Sequence, residues 1–229
     1  MLVMKLSVCS AIDKLLEGGL ESGCITNFYG PSASGKSNIA FVATAAALAA
    51  GKKVLFVDTE GGFSVERLQQ ICNGTSPLIS DKIILLEPKD WNEQKEAIKK
   101  LETLKEGAGL IVVDSITALW RLTVNDSNAQ TVNNELALQL SILSKMAREL
   151  NIPVLITNQV YTDIDSGKIE LSSRSIVKWW SKNLIELMHA GRTGCRIAII
   201  KRARSLPEDK RIEFEICNEG LKEVKFRIF

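Results

Sequence analysis

The chain has 229 residues, with 29 Lys and Arg against 27 Asp and Glu, and 45% of it is hydrophobic. That is ordinary globular composition, which excludes a disordered or fibrous chain, and a chain of this length is expected to fold as a single domain over residues 1–229. The longest apolar run, Ile39 to Ala50, is broken by Thr44 and falls short of the ~20 residues that span a bilayer. No membrane partner is expected, and because Lys5 interrupts any signal-like N-terminus, the location is read as cytoplasmic.

Five cysteines (Cys9, Cys24, Cys72, Cys195, Cys217) are odd in number and show no C-x-x-C spacing. They are expected to be reduced, mostly buried thiols. The one histidine, His189, sits among Leu184, Ile185, Leu187 and Met188, which favours a packing or polar-edge role over a metal centre or a Ser-His-Asp triad.

In chain order, short runs rich in branched residues predict strands at Ile25 to Tyr29, Lys53 to Val57, Lys82 to Leu86, Leu110 to Val113 and Pro153 to Thr157. Helices are predicted between them. Lys36 to Ala50 is alanine-rich, and Asn92 to Lys105 follows Asp90, an N-cap with Glu93 placed as in a capping box. A third helix carries Leu136, Leu140, Leu143, Ala147 and Leu150 as an apolar stripe and ends at Asn151, before Pro153. Strands alternating with helices require right-handed crossovers, so the architecture is α/β with a mostly parallel, doubly wound sheet. After Gln159, strand-like runs at Leu184 to Met188, Arg196 to Ile200, Arg211 to Ile216 and Val224 to Phe229 are expected to extend one edge as antiparallel strands, with a hairpin turn at Gly191 to Gly194.

The run Gly30-Pro31-Ser32-Ala33-Ser34-Gly35-Lys36-Ser37 matches G-x-x-x-x-G-K-[ST], directly after a predicted strand and before a predicted helix. Glycines let backbone N–H groups point inward at phosphate oxygens, Lys36 supplies a point charge, and the helix N-terminus adds partial positive charge. The Ser37 hydroxyl is the expected Mg²⁺ ligand, which makes ATP and Mg²⁺ the expected ligands. Asp114 ends the hydrophobic strand Leu110 to Val113 and is expected to hold the metal through water. Glu60, at the carboxyl end of the second strand, faces the ligand crevice, where it either orients an attacking water or is a solvated loop acid.

Beyond the phosphate loop, the chain resembles the RecA/RadA recombinase ATPases over nearly its whole length. The resemblance rests on Cys9 to Leu20, on Asp58-Thr59-Glu60-Gly61-Gly62-Phe63 with Glu66-Arg67-Leu68, on Asp114-Ser115-Ile116-Thr117-Ala118-Leu119-Trp120-Arg121, and on Ile156-Thr157-Asn158-Gln159-Val160. It implies a RecA-type P-loop core in which Lys36, Glu60, Asp114 and Gln159 are catalytic. Arg67 would lie against adenine, and Gln159 would relay nucleotide state to a DNA-binding loop.

The phosphate loop begins so near Met1 that no N-terminal helix-hairpin-helix domain is expected, as in the short archaeal RadB paralogues. The first DNA-binding loop lacks its basic residue between Val124 and Ala129, and the second, roughly Tyr161 to Ser175, is short and lacks paired glycines. Strand exchange is therefore not expected. The resemblance implies a weakly hydrolysing accessory factor in homologous recombination and DNA repair, with the main recombinase RadA and a Holliday junction resolvase as partners. Two other readings stay open: a nucleotide-gated recombinase mediator without significant turnover, and a RecA-like ATPase with a non-DNA task.

Between Lys168 and Arg204, nine basic residues face two acids, a balance of +7. Such a stretch favours sequence-independent binding to single-stranded or branched DNA, with Lys168, Arg174, Lys178 and Lys182 as candidate contacts. Trp179 and Trp180 inside it are read as packing anchors in preference to base-stacking platforms. Lys201, Arg202 and Arg204 are candidates for reaching the γ-phosphate on a neighbouring subunit of a homo-oligomer, as arginine fingers do, or else join the basic surface. Arg202 and Arg204, two apart on a strand end, are expected to point the same way.

Overall fold

The computed structural model describes residues 4–72, 79–162, 169–171 and 175–224. In chain order its elements are β1 (Lys5–Leu6), α1 (Ser10–Leu16), β2 (Leu20–Glu21), β3 (Ile25–Gly30), α2 (Lys36–Ala49), β4 (Lys53–Asp58), α3 (Val65–Ile71), α4 (Ile79–Lys82) and β5 (Ile83–Leu86). They continue with α5 (Trp91–Leu104), β6 (Ala108–Asp114), α6 (Ala118–Thr123), α7 (Ala129–Leu150), β7 (Val154–Thr162), β8 (Ile169–Leu171), α8 (Ser175–Trp180), β9 (Asn183–His189), β10 (Cys195–Arg202), β11 (Arg211–Cys217) and β12 (Gly220–Glu223).

The central sheet runs β12-β11-β10-β9-β3-β7-β6-β4-β5, with β8 pairing β7. From β9 to β5 the strands are parallel; β10, β11 and β12 extend the β9 edge antiparallel. The expected C-terminal antiparallel extension is therefore present, with one correction: Leu184 to Met188 joins the sheet parallel to β3, because α8 returns the chain to the amino end of β3 before β9 begins. The last strand, β12, lies before the expected Val224 to Phe229 segment, of which residues 225–229 are outside the described ones.

Alternation along the strands splits the core in two. Val54, Phe56, Leu110, Val112 and Leu155 face α1 and α2, whereas Leu55, Val57, Ile111, Val113, Val154 and Ile156 face α5, α6 and α7. Every central strand is covered on both sides, which is why these strands read as continuous apolar runs. Local signals were read correctly: Asp90 Oδ1 accepts the Glu93 N–H at 2.9 Å, and the 22-residue helix α7 ends at Asn151 in the left-handed region. Of the five cysteines, Cys24 and Cys195 are buried, whereas Cys9, Cys72 and Cys217 are half-buried, which corrects the expectation of mostly buried thiols. Among the described residues, no helix is long and apolar enough to cross a membrane.

The α7 stripe carries a direct test. Leu140 is fully buried, while Leu138 on the opposite side is 56% exposed. Leu140→Ala is expected to cost about 2–5 kcal/mol of unfolding free energy in urea titrations, and Leu138→Ala no more than ~0.5 kcal/mol; equal costs would refute the assignment of the stripe.

Candidate functional site

Gly30 closes β3 and Gly35 precedes α2 with φ +97°, a conformation L side chains rarely adopt. A Cβ on Gly30 would lie 2.3 Å from the Leu187 carbonyl of β9 and 2.9 Å from Ser34 Oγ, so the loop can pass under the neighbouring strand only as glycine. Lys36 is 8% exposed, and its ammonium donates to the Gly30 and Pro31 carbonyls at 3.0 and 2.7 Å. Among the described residues, the buried Ser34 hydroxyl has no hydrogen-bond partner. On the outer side of the loop, His189 Nε2 donates to the Ser32 carbonyl at 3.2 Å and Arg196 Nε to the Ala33 carbonyl at 2.9 Å. Sequence reasoning missed both contacts. They depend on the β9–β10 register that sets His189 opposite Arg196, and on β9 lying next to β3.

Asp114 ends β6 almost out of water, accepts a hydrogen bond from the Thr157 hydroxyl and has the Ser37 hydroxyl beside it. Burial pushes its pKa up, the two hydroxyls oppose that, and the charges of Glu60 and Asp58 add to the rise. Burial pushes the Lys36 ammonium down, against the attraction of Glu60 and Asp114. Thus the expected phosphate-loop, metal and strand-end residues do converge: Lys36, Ser37 and Asp114 meet at the carboxyl ends of β3 and β6.

Glu60 is placed by a residue that sequence reasoning passed over. Asp58, 2% exposed, accepts the Glu60 and Gly61 N–H groups at 3.0 Å each and the Phe63 N–H at 2.7 Å, bending the chain tightly after β4. Its signal was an aspartate at a strand end ahead of two glycines, the sequence of an Asx turn. Phe63 then packs on Phe56 and Phe41, with ring centroids 5.0 and 5.6 Å away. Thr59 stitches the turn to β6: its hydroxyl donates to the Ser115 carbonyl at 2.7 Å and accepts the Ser115 N–H at 3.0 Å. Glu60 Oε1 receives the Ser115 hydroxyl at 2.8 Å and Gln159 Nε2 at 2.9 Å, and Gln159 Oε1 accepts Arg121 Nη1 at 3.0 Å.

The remaining predicted residues lie apart from this centre. Arg67 ties α3 to α2 and the β11–β12 turn, donating to Asn38 Oδ1 at 3.0 Å and to the Cys217 and Asn218 carbonyls at 2.8 and 3.0 Å. Lys201 pairs with Asp209 at 3.2 Å and Glu186 at 4.0 Å. Arg202 donates to the Lys178 and Ser181 carbonyls at the end of α8, and Arg204, beyond the end of β10, pairs with Glu21 at 3.1 Å. The expected shared direction of Arg202 and Arg204 gives way to separate partners, because β10 stops at Arg202 with an irregular register after Ile200. Lys178 and Lys182 are exposed; Lys168 and Arg174, and most of the expected second loop, lie outside the described residues. Trp180 packs against the α7 side of the core, but Trp179 is 78% exposed, correcting the packing expectation for that residue.

The sequence profile of the Rad51 family matches residues 2–224. Proteins named "DNA repair and recombination protein RadB" from Methanobrevibacter smithii and Methanosphaera stadtmanae are 38% and 39% identical, over 95% and 93% of both chains respectively. One from Methanococcoides burtonii is 39% identical over 95% of this chain and 96% of its own. A solved structure titled "Crystal structure of the RadB recombinase" superposes with a TM-score of 0.82 at 35% identity, covering 96% of this chain and all of that one.

The buried carboxylate sets a pH dependence. Because folding raises the Asp114 pKa, the native chain holds this proton more tightly than the unfolded chain. The contribution of the group to stability therefore falls as pH rises through the native value. Asp114→Asn should melt at a higher temperature than the parent at pH 7 in metal-free buffer. The gain should vanish below about pH 3.9, where the unfolded carboxyl is also protonated; a lower melting temperature at pH 7 would contradict the burial argument.

Proposed function

Because this chain belongs to the Rad51 family of recombination and repair proteins, we propose that it binds ATP with Mg²⁺, hydrolyses it slowly, and binds DNA without reading its sequence. Its fold is of the RecA type, and its relatives are archaeal RadB proteins. The observation that carries the reading is the meeting of Ser37 and Asp114 at the mouth of a glycine-lined loop whose lysine is buried.

The residues present suit both ligands. A cradle that a Cβ would fill, an unpartnered buried Ser34 hydroxyl and a buried ammonium suit a triphosphate. The donor set at the mouth is hydroxyl and carboxylate oxygen, the kind that Mg²⁺ prefers. When bound, the ion would neutralise charge on the β- and γ-phosphate oxygens; Ser37 would ligate it and Asp114 would steady its water shell. Lys36 would exchange the Gly30 and Pro31 carbonyls for phosphate oxygens, which bind an ammonium more strongly than neutral acceptors do. Backbone N–H groups from Gly30 to Ser37 and the N-terminus of α2 would complete the anion site, and Arg67, reaching Asn38 in the first turn of α2, would border the adenine.

Glu60 would orient the attacking water and draw off its proton. Its Oε1 already takes two hydrogen bonds, one of which must be given up before that oxygen can accept the proton of a water, and this supports slow turnover by the isolated chain. Gln159, bonded to Glu60 on one side and Arg121 on the other, would pass the state of the site to the segment after β7. Lys201 is the cation we assign to a neighbouring protomer's phosphates. Its partner Asp209 has a side chain 79% exposed, and such surface pairs are worth only about 0–1 kcal/mol. Lys178 and Lys182 are assigned to the DNA backbone. The role is that of an accessory factor beside the main recombinase RadA and a Holliday junction resolvase in repair of branched DNA, without strand exchange.

Two variants test the site. Lys36→Ala should abolish ATP uptake measured by calorimetry with Mg²⁺. Glu60→Gln should keep binding and lower turnover about 10²–10⁴-fold, the range of general-base catalysis. Undiminished hydrolysis in Glu60→Gln would remove the catalytic assignment, and ATP uptake by Lys36→Ala would remove the binding site itself.

A further inference from the structure

A cleft of about 480 Å³ opens at the amino end of β3, against α7 and the end of α8. The phosphate loop leaves the other end of that strand, six residues on, or about 20 Å at the usual strand rise. The cleft and the nucleotide site therefore lie on opposite edges of the sheet.

Trp179 lines the cleft with most of its indole in water, while Trp180 beside it is anchored in the core. Arg148, Lys182 and Arg204 line it as well. Among the described residues, few negative charges face them. Glu21 takes one side of Arg204, and Glu149, next to Arg148, is drawn toward Lys105 and Lys145 at 3.7 and 3.9 Å. Lys178, one residue before Trp179, is exposed, and Arg202 adds its charge to the carbonyl end of α8.

A large apolar ring held in water costs free energy that a purely solvated surface would not need. A flat ring with cations around it matches one chemistry in particular: an unpaired base on the ring face, with phosphates on either side held by the cations. A duplex keeps its base faces stacked inside and cannot offer one to Trp179. An acidic protein segment would use the cations but leave the ring without a matching flat partner.

We propose that this cleft binds single-stranded nucleic acid, with Trp179 stacking on one unpaired base and Arg148, Lys182 and Arg204 holding the neighbouring phosphates. The assignment rests on the DNA-binding reading above and specifies its surface and its mode. Arg148 comes from α7, far in sequence from the basic stretch, so the cleft is built by the tertiary fold.

The test uses the full chain, a short labelled oligothymidylate and a blunt duplex of equal length. Binding is followed by anisotropy and by tryptophan emission at several salt concentrations. Oligothymidylate should quench the emission of the parent chain. Trp179→Ala should weaken its binding at least about fivefold, the lower edge of the range for base–aromatic stacking, and leave duplex affinity unchanged. Trp179→Phe should keep most of the affinity and lose the quench. Arg148→Gln and Lys182→Gln should each make the slope of log affinity against log salt shallower by about 0.7. All three side chains are at the surface, and unchanged ATP uptake by the variants reports intact folding. If Trp179→Ala binds oligothymidylate as the parent does, the cleft assignment is overturned while the DNA-binding reading stands. A parent chain that binds neither oligonucleotide overturns both. If Trp179→Ala instead dissolves a self-association seen by sedimentation and leaves oligothymidylate affinity intact, the cleft seats a second copy and the proposal is wrong.

Discussion

Two opposite charges, the Lys36 ammonium and the Asp114 carboxylate, are held nearly out of water at the carboxyl ends of β3 and β6. Burial alone would drive both toward neutrality, one downward and the other upward in pKa. Each is tolerated because the surrounding backbone and hydroxyls are placed to receive it: two loop carbonyls for the lysine, Thr157 and Ser37 for the aspartate. A pair kept in this condition stabilises the fold weakly, since desolvation offsets most of its attraction. In the function proposed above, its sense is in what it would receive, an anion with many oxygens and a hard cation.

The turn after β4 depends on the same centre. Asp58 gathers three N–H groups, Thr59 binds the turn to Ser115, and the rings of Phe41, Phe56 and Phe63 seat it on the core. Glu60 is thereby carried on a rigid corner, which suits the part in positioning a water that we propose for it. Its link through Gln159 to Arg121 joins the turn after β4 to β7 and α6. A change at Glu60 therefore has a hydrogen-bonded route to β7 and α6.

The basic stretch shows how a charge count misleads when the chain reverses. Along the sequence it is one block, but β10 runs antiparallel to β9 and carries its cations from one sheet edge to the other. Arg196 is left clasping the phosphate loop, while Lys182 and Arg204 sit at the opposite edge beside Trp179.

The amino-acid order by itself determined the parts that neighbouring residues control. The phosphate loop, the Asp90 cap, the α7 stripe, the apolar central strands and the place of Glu60 and Asp114 at strand ends were all legible, because each is written within a few residues in the period of a helix or strand. Only the assembled sheet decided that β9 lies parallel beside β3, that Asp58 and His189 serve the site, that Trp179 is left in water, and that Arg148 joins Lys182 and Arg204. Those facts depend on strand neighbours and register between segments far apart in the chain, and such pairings arise from the packing of whole layers, which no local run of residues encodes.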